Sequence, residues 1–250
     1  MHERSRLQHV TAEYCVSMSA SGRVCGQAPA RLRMFIFLFG LLFPTSFSVA
    51  QSVASAASAS AAVLTSSSPA IQTVVFIGDS ITQGYGVREN QAYPEIVQHL
   101  LQMRGHAVRV INGGISGSVT ADADKRLKWY LRAQPQIVVL ELGGNDFLKG
   151  TPPEVIKKNL SRAIDLAQSH QIKILLCGMD VFTNLGDEYR ASIKKMYEEL
   201  AREKKVPLMP FLLENVALHK DLMQADQKHP NVQGHVVVAK DVATRLEKLL

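Results

Sequence analysis

The chain has 250 residues, of which 46% are hydrophobic and 20% are charged. This much apolar material is enough for a folded core, so the composition excludes disorder of the whole chain. The formal net charge is +6, but no basic cluster accompanies it, and we expect no nucleic-acid partner. Three cysteines are too few for a disulfide-stabilised scaffold.

Residues 1–50 are predicted to be a leader that contains a signal peptide. Residues 34–43 form an unbroken apolar run, with Arg31 and Arg33 before it and the small-residue segment 48–50 after it. A basic flank, a short apolar segment and a small-residue exit are typical of a secretory signal peptide. The alternative is a retained membrane anchor, which needs about 20 apolar residues and fits this run less well. We therefore expect a periplasmic or secreted protein.

A spacer is predicted over residues 51–70, because this segment is rich in alanine and serine and carries no charge. The folded domain is then expected to cover residues 71–250. Its only cysteine, Cys177, has no partner for an intramolecular disulfide. Initiation at Met18 would give a shorter leader, and the sequence is compatible with either start.

The domain alternates strand and helix patterns along the chain. Strands are predicted at 72–77, 107–111, 137–142, 172–176 and 206–209. Helices are predicted from about Gln91, over 121–133, from a capping box at 151–154, around the apolar face of Ile193, Met196, Tyr197 and Leu200, and from about Asn231. This alternation indicates one parallel sheet covered on both faces, with a functional crevice at the carboxyl ends of the strands.

Reactive side chains follow the predicted strand ends. Ser80 comes after the first strand, Gly117 after the second and Asn145 after the third, whereas Asp226 and His229 come after the fifth. The last two are three residues apart, so both can project from one tight turn. A serine, an imidazole, a carboxylate and hydrogen-bond donors are the groups that acyl transfer requires. Each piece alone is more often an ordinary turn, but the four together favour that chemistry.

The stretches that carry these residues resemble the SGNH (GDSL) hydrolase family, in particular its bacterial thioesterase I, arylesterase and lysophospholipase group. They read FIGDSITQGYGVRENQAYP, VINGGISG, VVLELGGNDFLKG and DQKHPN, and the resemblance covers nearly all of residues 73–250. It implies an α/β fold, namely a flavodoxin-like three-layer α/β/α sandwich. The five-stranded parallel sheet would have the strand order 2-1-3-4-5.

The resemblance also implies a role for each site residue. Ser80 would be the nucleophile and His229 the base, oriented by Asp226. The N–H groups of Ser80 and Gly117 and the side-chain amide of Asn145 would form the oxyanion hole. The implied activity is hydrolysis of carboxylic esters and acyl thioesters through an acyl-enzyme, with no metal and no organic cofactor.

Two features bear on the substrate. Phe147 and Leu148 open an apolar stretch directly after Asn145, and we expect them to form one wall of an acyl pocket. Lys228 stands where related sequences often carry an apolar residue, and it could meet an anionic group of the substrate. The residues after Gly117 read Ser-Val-Thr rather than the family's Gly-Asp-Thr, so the contacts of this loop are expected to differ.

The expected partner is a small-molecule acyl ester or thioester, and the expected state is a monomer. Transient contact with membrane lipids is compatible with such a substrate. One alternative is an O-acetylesterase acting on a glycan, although Trp129 is the only tryptophan that could serve as a sugar platform. The other is a catalytically silent binding protein on the same scaffold, which the complete set of reacting groups disfavours.

Other polar residues near the strand ends are expected to be structural. Glu141 should be half-buried and accept local backbone N–H groups. Asp79 and Asp146 should tie their loops together rather than bind a metal. Cys177 should be a buried, small apolar residue.

Overall fold

The computed structural model describes residues 70–180 and 186–250. The predicted leader and all but the last residue of the predicted spacer lie outside the described residues, so both stay predictions. The described residues belong to one compact unit.

Five parallel strands form one sheet in the order β2-β1-β3-β4-β5, as the resemblance implies. The strands are β1 Gln72–Ile77, β2 Val108–Asn112, β3 Ile137–Glu141, β4 Lys173–Cys177 and β5 Leu208–Met209. Every residue of β3 is buried, and so is every residue of β1 after Gln72. Continuous apolar strands of this kind are required where both faces of a parallel sheet are covered.

The helices lie in two packed groups. They are α1 Ser80–Gln83, α2 Tyr93–Met103, α3 Ala123–Tyr130, α4 Gly144–Leu148, α5 Pro153–Ser169, α6 Asp187–Lys204 and α7 Val232–Leu246. Helix α2 packs against α7, whereas α5 packs against both α3 and α6. One group on each face of the sheet gives the expected three-layer α/β/α sandwich. The predicted apolar face of α6 is buried, at Ile193, Met196, Tyr197 and Leu200.

The second, third and fourth strands differ from their predicted bounds by one residue, and two other elements differ for identifiable reasons. The helix expected over 121–133 is the short helix α3 between two 3-10 turns, Thr120–Asp122 and Leu131–Ala133. The fifth strand begins at Leu208 rather than Val206. The N–H of Val206 donates to the carbonyl of Ala201 at the end of α6, and Pro207 has no N–H to offer a neighbouring strand.

The predicted capping box at 151–154 is also wrong. The N-cap of α5 is Pro152, which offers no side-chain cap, so the helix starts one residue too late for Thr151 to cap it. The backbone of Thr151 instead joins the preceding turn, where its N–H donates to the carbonyl of Asp146. Pro153 occupies the first helical position, where its fixed φ favours the helix and its missing N–H costs nothing.

The first strand and the last residues of the chain meet at the end of the sheet where the strands begin. The side-chain amide of Gln72 donates to the carbonyl of Leu250 over 3.2 Å. The amine of Lys173, at the start of β4, donates to the carbonyl of Leu249 over 2.6 Å. These contacts hold the chain end against the edge of the sheet that lies opposite the carboxyl ends of the strands.

A buried histidine joins the two helices on one face of the sheet. His235 of α7 is completely buried, and its Nδ1 accepts the backbone N–H of Tyr93 at the start of α2 over 3.3 Å. The two side-chain rings are nearly parallel, with centroids 6.3 Å apart. Burial, with a smaller contribution from the charge of His229, lowers the pKa of His235 to about 4.

The low pKa of His235 makes stability depend on pH. The folded state keeps this imidazole neutral, so its contribution is present above the unfolded pKa of about 6.5 and is lost as pH falls toward 4. The loss amounts to at most roughly 3 kcal/mol. His235→Asn keeps an acceptor for the Tyr93 N–H but does not titrate. We expect its free energy of unfolding, measured with denaturant, to fall less on acidification than that of the wild type; equal falls would contradict this.

Candidate active site

The residues predicted from the strand ends converge on one cavity at the carboxyl edge of the sheet. Its volume is about 960 Å³, and its lining includes Ser80, Gly117, Asn145 and His229. Asp226 lies behind His229, with which it shares a hydrogen bond. The structure therefore brings together all five side chains or backbone groups that the sequence singled out.

A tight turn after β1 presents Ser80. Asp79 is the N-cap of α1, and its Oδ1 accepts the N–H of Ile81 over 3.0 Å. Gly78 is required by close packing, because a Cβ at this position would lie 2.0 Å from Thr82 Oγ1 and 2.4 Å from Glu141 Oε2. The Asp79 cap and the close packing around Gly78 thus fix the turn, and the Ser80 hydroxyl faces the cavity.

Ser80, His229 and Asp226 form a continuous chain of hydrogen bonds. Ser80 Oγ lies 2.8 Å from His229 Nε2, although the two residues are 149 positions apart. On the other side of the ring, His229 Nδ1 lies 2.6 Å from Asp226 Oδ2. A carboxylate at Nδ1 favours the tautomer that carries its proton there, which leaves Nε2 free to accept a proton from the serine.

The turn from Asp226 to His229 fixes the imidazole in place. Asp226 Oδ1 accepts the backbone N–H groups of Lys228 and His229 over 3.0 and 3.1 Å, while Gln227 adopts a left-handed φ of 55°. Partial desolvation alone would raise the pKa of Asp226. The hydrogen bonds from the His229 ring and from the two backbone N–H groups outweigh it and lower the pKa to about 2. Asp226 is therefore a carboxylate at neutral pH.

The backbone N–H groups of Ser80 and Gly117 have no protein acceptor among the described residues, and both residues line the cavity. Gly117 has a φ of +78°, and a Cβ added there would meet open space, so the requirement for glycine comes from the backbone conformation. The neighbouring Ser116 is tied to α1, because its N–H and hydroxyl both donate to Gln83 Oε1.

Asn145 already has partners for its amide. Its Nδ2 donates to the carbonyl of Ser118 over 2.9 Å and, more weakly, to Asp79 Oδ2 over 3.3 Å. These two acceptors fix the orientation of the side chain. A ligand oxygen at this position would therefore replace the longer contact, since the amide nitrogen has only two hydrogens.

Two acidic residues near the site have the structural roles that were expected. Asp146 is buried and accepts the backbone N–H and the hydroxyl of Thr120 over 2.8 and 2.6 Å. Glu141 accepts the backbone N–H of Asp79 over 3.1 Å, as predicted. However, Glu141 is completely buried rather than half-buried. Cys177 is also completely buried, and burial raises the pKa of its thiol.

The cavity walls are mostly apolar. Phe147 and Leu148 both line it, the first buried and the second 63% exposed. Lys228 lies at the rim, as does Lys194 of α6, which the sequence analysis did not single out. The remaining apolar lining consists of Ile81, Met179, Pro210, Phe211, Leu213, Ala217 and Leu218.

Sequence reasoning missed Tyr85. Its ring lies over the imidazole of His229, with the two ring centroids 4.7 Å apart and the planes tilted by 42°. Gln224 holds this tyrosine by donating from its amide to the Tyr85 carbonyl over 2.7 Å. The two glycines that flank Tyr85 in the sequence indicate a turn there, and Gly84 and Gly86 indeed have φ values of 83° and 79°, but they do not predict the contact with His229.

Among residues 70–180 and 186–250, no group of three or more His, Cys, Asp or Glu side chains is arranged to hold a metal ion. In the same part of the chain, no helix is both long enough and apolar enough to cross a membrane.

Residues 76–237 match the GDSL-like Lipase/Acylhydrolase family. The chain is 35% identical to an arylesterase of Vibrio mimicus over 188 residues, which are 75% of this chain and 94% of that protein. It is 32% identical to the thioesterase 1/protease 1/lysophospholipase L1 of Escherichia coli K12, over 75% of this chain and 89% of that protein. The crystal structure of TesA superposes with a TM-score of 0.69 at 34% identity, covering 72% of this chain and all of that chain.

Proposed function

The chain belongs to the GDSL-like lipase/acylhydrolase family and is an ester and thioester hydrolase, and we propose that it works through a Ser80-His229-Asp226 triad and an acyl-enzyme. The observation that carries this proposal is the unbroken hydrogen-bond chain from Ser80 Oγ through the imidazole to Asp226, with distances of 2.8 and 2.6 Å. These are distances at which proton transfer can occur without rearrangement.

In the first half of the reaction, His229 Nε2 takes the proton of Ser80 as the hydroxyl oxygen attacks the acyl carbonyl carbon. Asp226, already ionised, stabilises the imidazolium that forms. The imidazolium then protonates the leaving alcohol or thiol as the bond from the acyl carbon to that group breaks. In the second half, His229 activates a water that attacks the acyl-enzyme, and the free acid and the Ser80 hydroxyl are released.

The negative charge of each tetrahedral intermediate falls on the former carbonyl oxygen. The N–H groups of Ser80 and Gly117 are available to receive it, because neither has a protein acceptor among the described residues. Asn145 would supply a third hydrogen bond by giving up its 3.3 Å contact with Asp79. Such preorganised donors stabilise the transition state more than the ground state.

The cavity favours an acyl substrate with an apolar chain. Phe147 and Leu148 form one wall beside Asn145, and the apolar residues from Pro210 to Leu218 form another part of the lining. The tryptophan that could serve as a sugar platform, Trp129, does not line the cavity, and the guanidinium of Arg132 covers its ring. This arrangement favours acyl esters and thioesters over a glycan ester.

The mouth of the cavity also suits transient contact with a lipid surface. Tyr85, Leu148 and Leu218 line the cavity and are 53%, 63% and 91% exposed, so their apolar surface stands at its entrance. Lys194 and Lys228 are exposed in the same lining, where they outnumber the exposed Glu214 and can meet anionic headgroups. Apolar side chains combined with cations are typical of surfaces that bind reversibly to membranes.

We place the enzyme in the periplasm or outside the cell, on the strength of the apolar run at 34–43 and its basic flank. We propose a monomer as the active state, because one chain supplies the triad and the three oxyanion donors.

Ser80→Ala tests the function directly. The variant should fold like the wild type, because the hydroxyl contributes little to the core, yet lose hydrolysis of aryl esters and acyl thioesters. It should also lose labelling by a fluorophosphonate probe, which reacts only with an activated serine. Circular dichroism serves as the control for folding. Near-full esterase activity in this variant would refute the proposal, and a wild type that fails to react with the probe would favour the silent binding protein.

Asn145→Ala should lower kcat for ester hydrolysis by about 10²–10³, the scale for one oxyanion donor. Asn159→Ala is the matched control, because the Asn159 amide is buried, donates to Thr120 Oγ1 and does not line the cavity. We expect this control to lose thermal stability while its kcat changes little. Similar kcat values for the two variants would remove Asn145 from the oxyanion hole.

Leu218→Ser tests the contact with lipid. We expect weaker co-sedimentation with phosphatidylglycerol vesicles, but an unchanged kcat/KM for a short, soluble aryl ester. Met103→Ser is the matched control, since Met103 is 68% exposed at the end of α2, away from the cavity. Equal vesicle binding by the wild type and both variants would contradict a role for the cavity mouth.

A further inference from the structure

A buried carboxyl group lies directly beneath the nucleophile, and the proposed reaction makes no use of it. Glu141 ends β3 and is completely buried. Its Oε2 accepts the backbone N–H of Asp79 over 3.1 Å and the hydroxyl of Thr82 over 2.7 Å. Asp79 precedes Ser80 and Thr82 follows two residues after it, so one carboxyl oxygen holds the nucleophile turn on both sides.

The contact with Asp79 leads on to the oxyanion donors. Asp79 Oδ1 caps α1 through Ile81, and Asp79 Oδ2 accepts from the amide of Asn145. Glu141 thus fixes the backbone of Asp79. The side chain of Asp79 in turn contacts both α1, which begins at Ser80, and the Asn145 amide. A shift of Glu141 would move the nucleophile and one donor together.

We propose that Glu141 is a positioning residue that sets the geometry of Ser80 through Asp79 and Thr82, and the geometry of Asn145 through Asp79 in the free enzyme. This inference rests on the proposed function, because positioning matters only if Ser80 attacks and Asn145 donates. Glu141 does not reach the cavity lining, so it acts through its neighbours and not on the substrate.

The surroundings favour the neutral form. Glu141 Oε1 is buried and has no hydrogen-bond partner in the described part of the chain, which is costly for an anion. Arg126 is the cation whose charge acts on Glu141, but it donates to the carbonyls of Gly78 and Gly113 and not to this carboxyl. Burial and the neighbouring charge of Asp79 raise the pKa of Glu141 well above its usual range, and burial raises that of Asp79 to about 6. Tyr93, Tyr197 and Cys177, which also face this carboxyl, bring no positive charge.

Two substitutions at this position separate charge from hydrogen bonding. Glu141→Gln keeps a neutral side chain with an acceptor oxygen, and we expect a kcat near that of the wild type. Glu141→Met has a similar size but no acceptor for Asp79 and Thr82, and we expect kcat to fall by about 10- to 100-fold with KM little changed, the scale of a small misplacement of reacting groups. The rate of fluorophosphonate labelling should fall in parallel.

Cys177→Ala is the matched control, because Cys177 pairs with Glu141 in the register of β3 and β4 and is equally buried. It should lower the melting temperature without lowering kcat. If Glu141→Met does not fold, Thr82→Val removes one donor to Glu141 and should lower kcat in the same direction.

A Glu141→Met variant, or in its place Thr82→Val, that keeps the kcat of the wild type would overturn the inference. A Glu141→Gln variant that loses as much kcat as Glu141→Met would do the same. Failure of the proposed function would look different, because activity and probe labelling would then persist in Ser80→Ala.

Discussion

The 2.8 Å contact between Ser80 and His229 forms because the parallel sheet brings together two segments that are far apart in the sequence. Ser80 follows the end of β1, whereas His229 lies in the connection between β5 and α7, with the other four strands between them in sequence. Because every strand runs in the same direction, all five strands end at one edge, and the segments that follow them meet there. Changes elsewhere in the fold affect the site insofar as they move these segments.

The parts of this site that could be predicted are those that a short motif specifies. Ser80, Gly117, Asn145 and His229 each follow an apolar strand, and glycines mark the turns, so their convergence could be inferred from the strand order. The short β5 could not be anticipated as readily. Its length depends on how α6 ends and on the missing N–H of Pro207, which are contacts between elements and not properties of the segment itself.

Contacts between residues that are far apart in the sequence could not be predicted from the sequence. The ring of Tyr85 lies over His229, and Gln224 holds the Tyr85 carbonyl by a contact across 139 positions. The complete burial of Glu141 likewise depends on the crowding of Gly78 and Thr82 against it. Hydrophobic patterning shows that a strand end is near the core, but the fit of its neighbours decides whether any solvent reaches it.

The meeting of Gln72 and Leu250 at the end of the sheet where the strands begin has a consequence for how the domain can be attached. The N-terminal end of β1 lies on the side of the fold remote from the cavity. A tether, a fusion partner or a solid support joined there would leave the entrance facing outward and accessible. For the same reason a few residues could link Leu250 to the start of β1 in a domain of residues 71–250, with new ends opened in a surface loop, which would give a circularly permuted enzyme with its entrance intact.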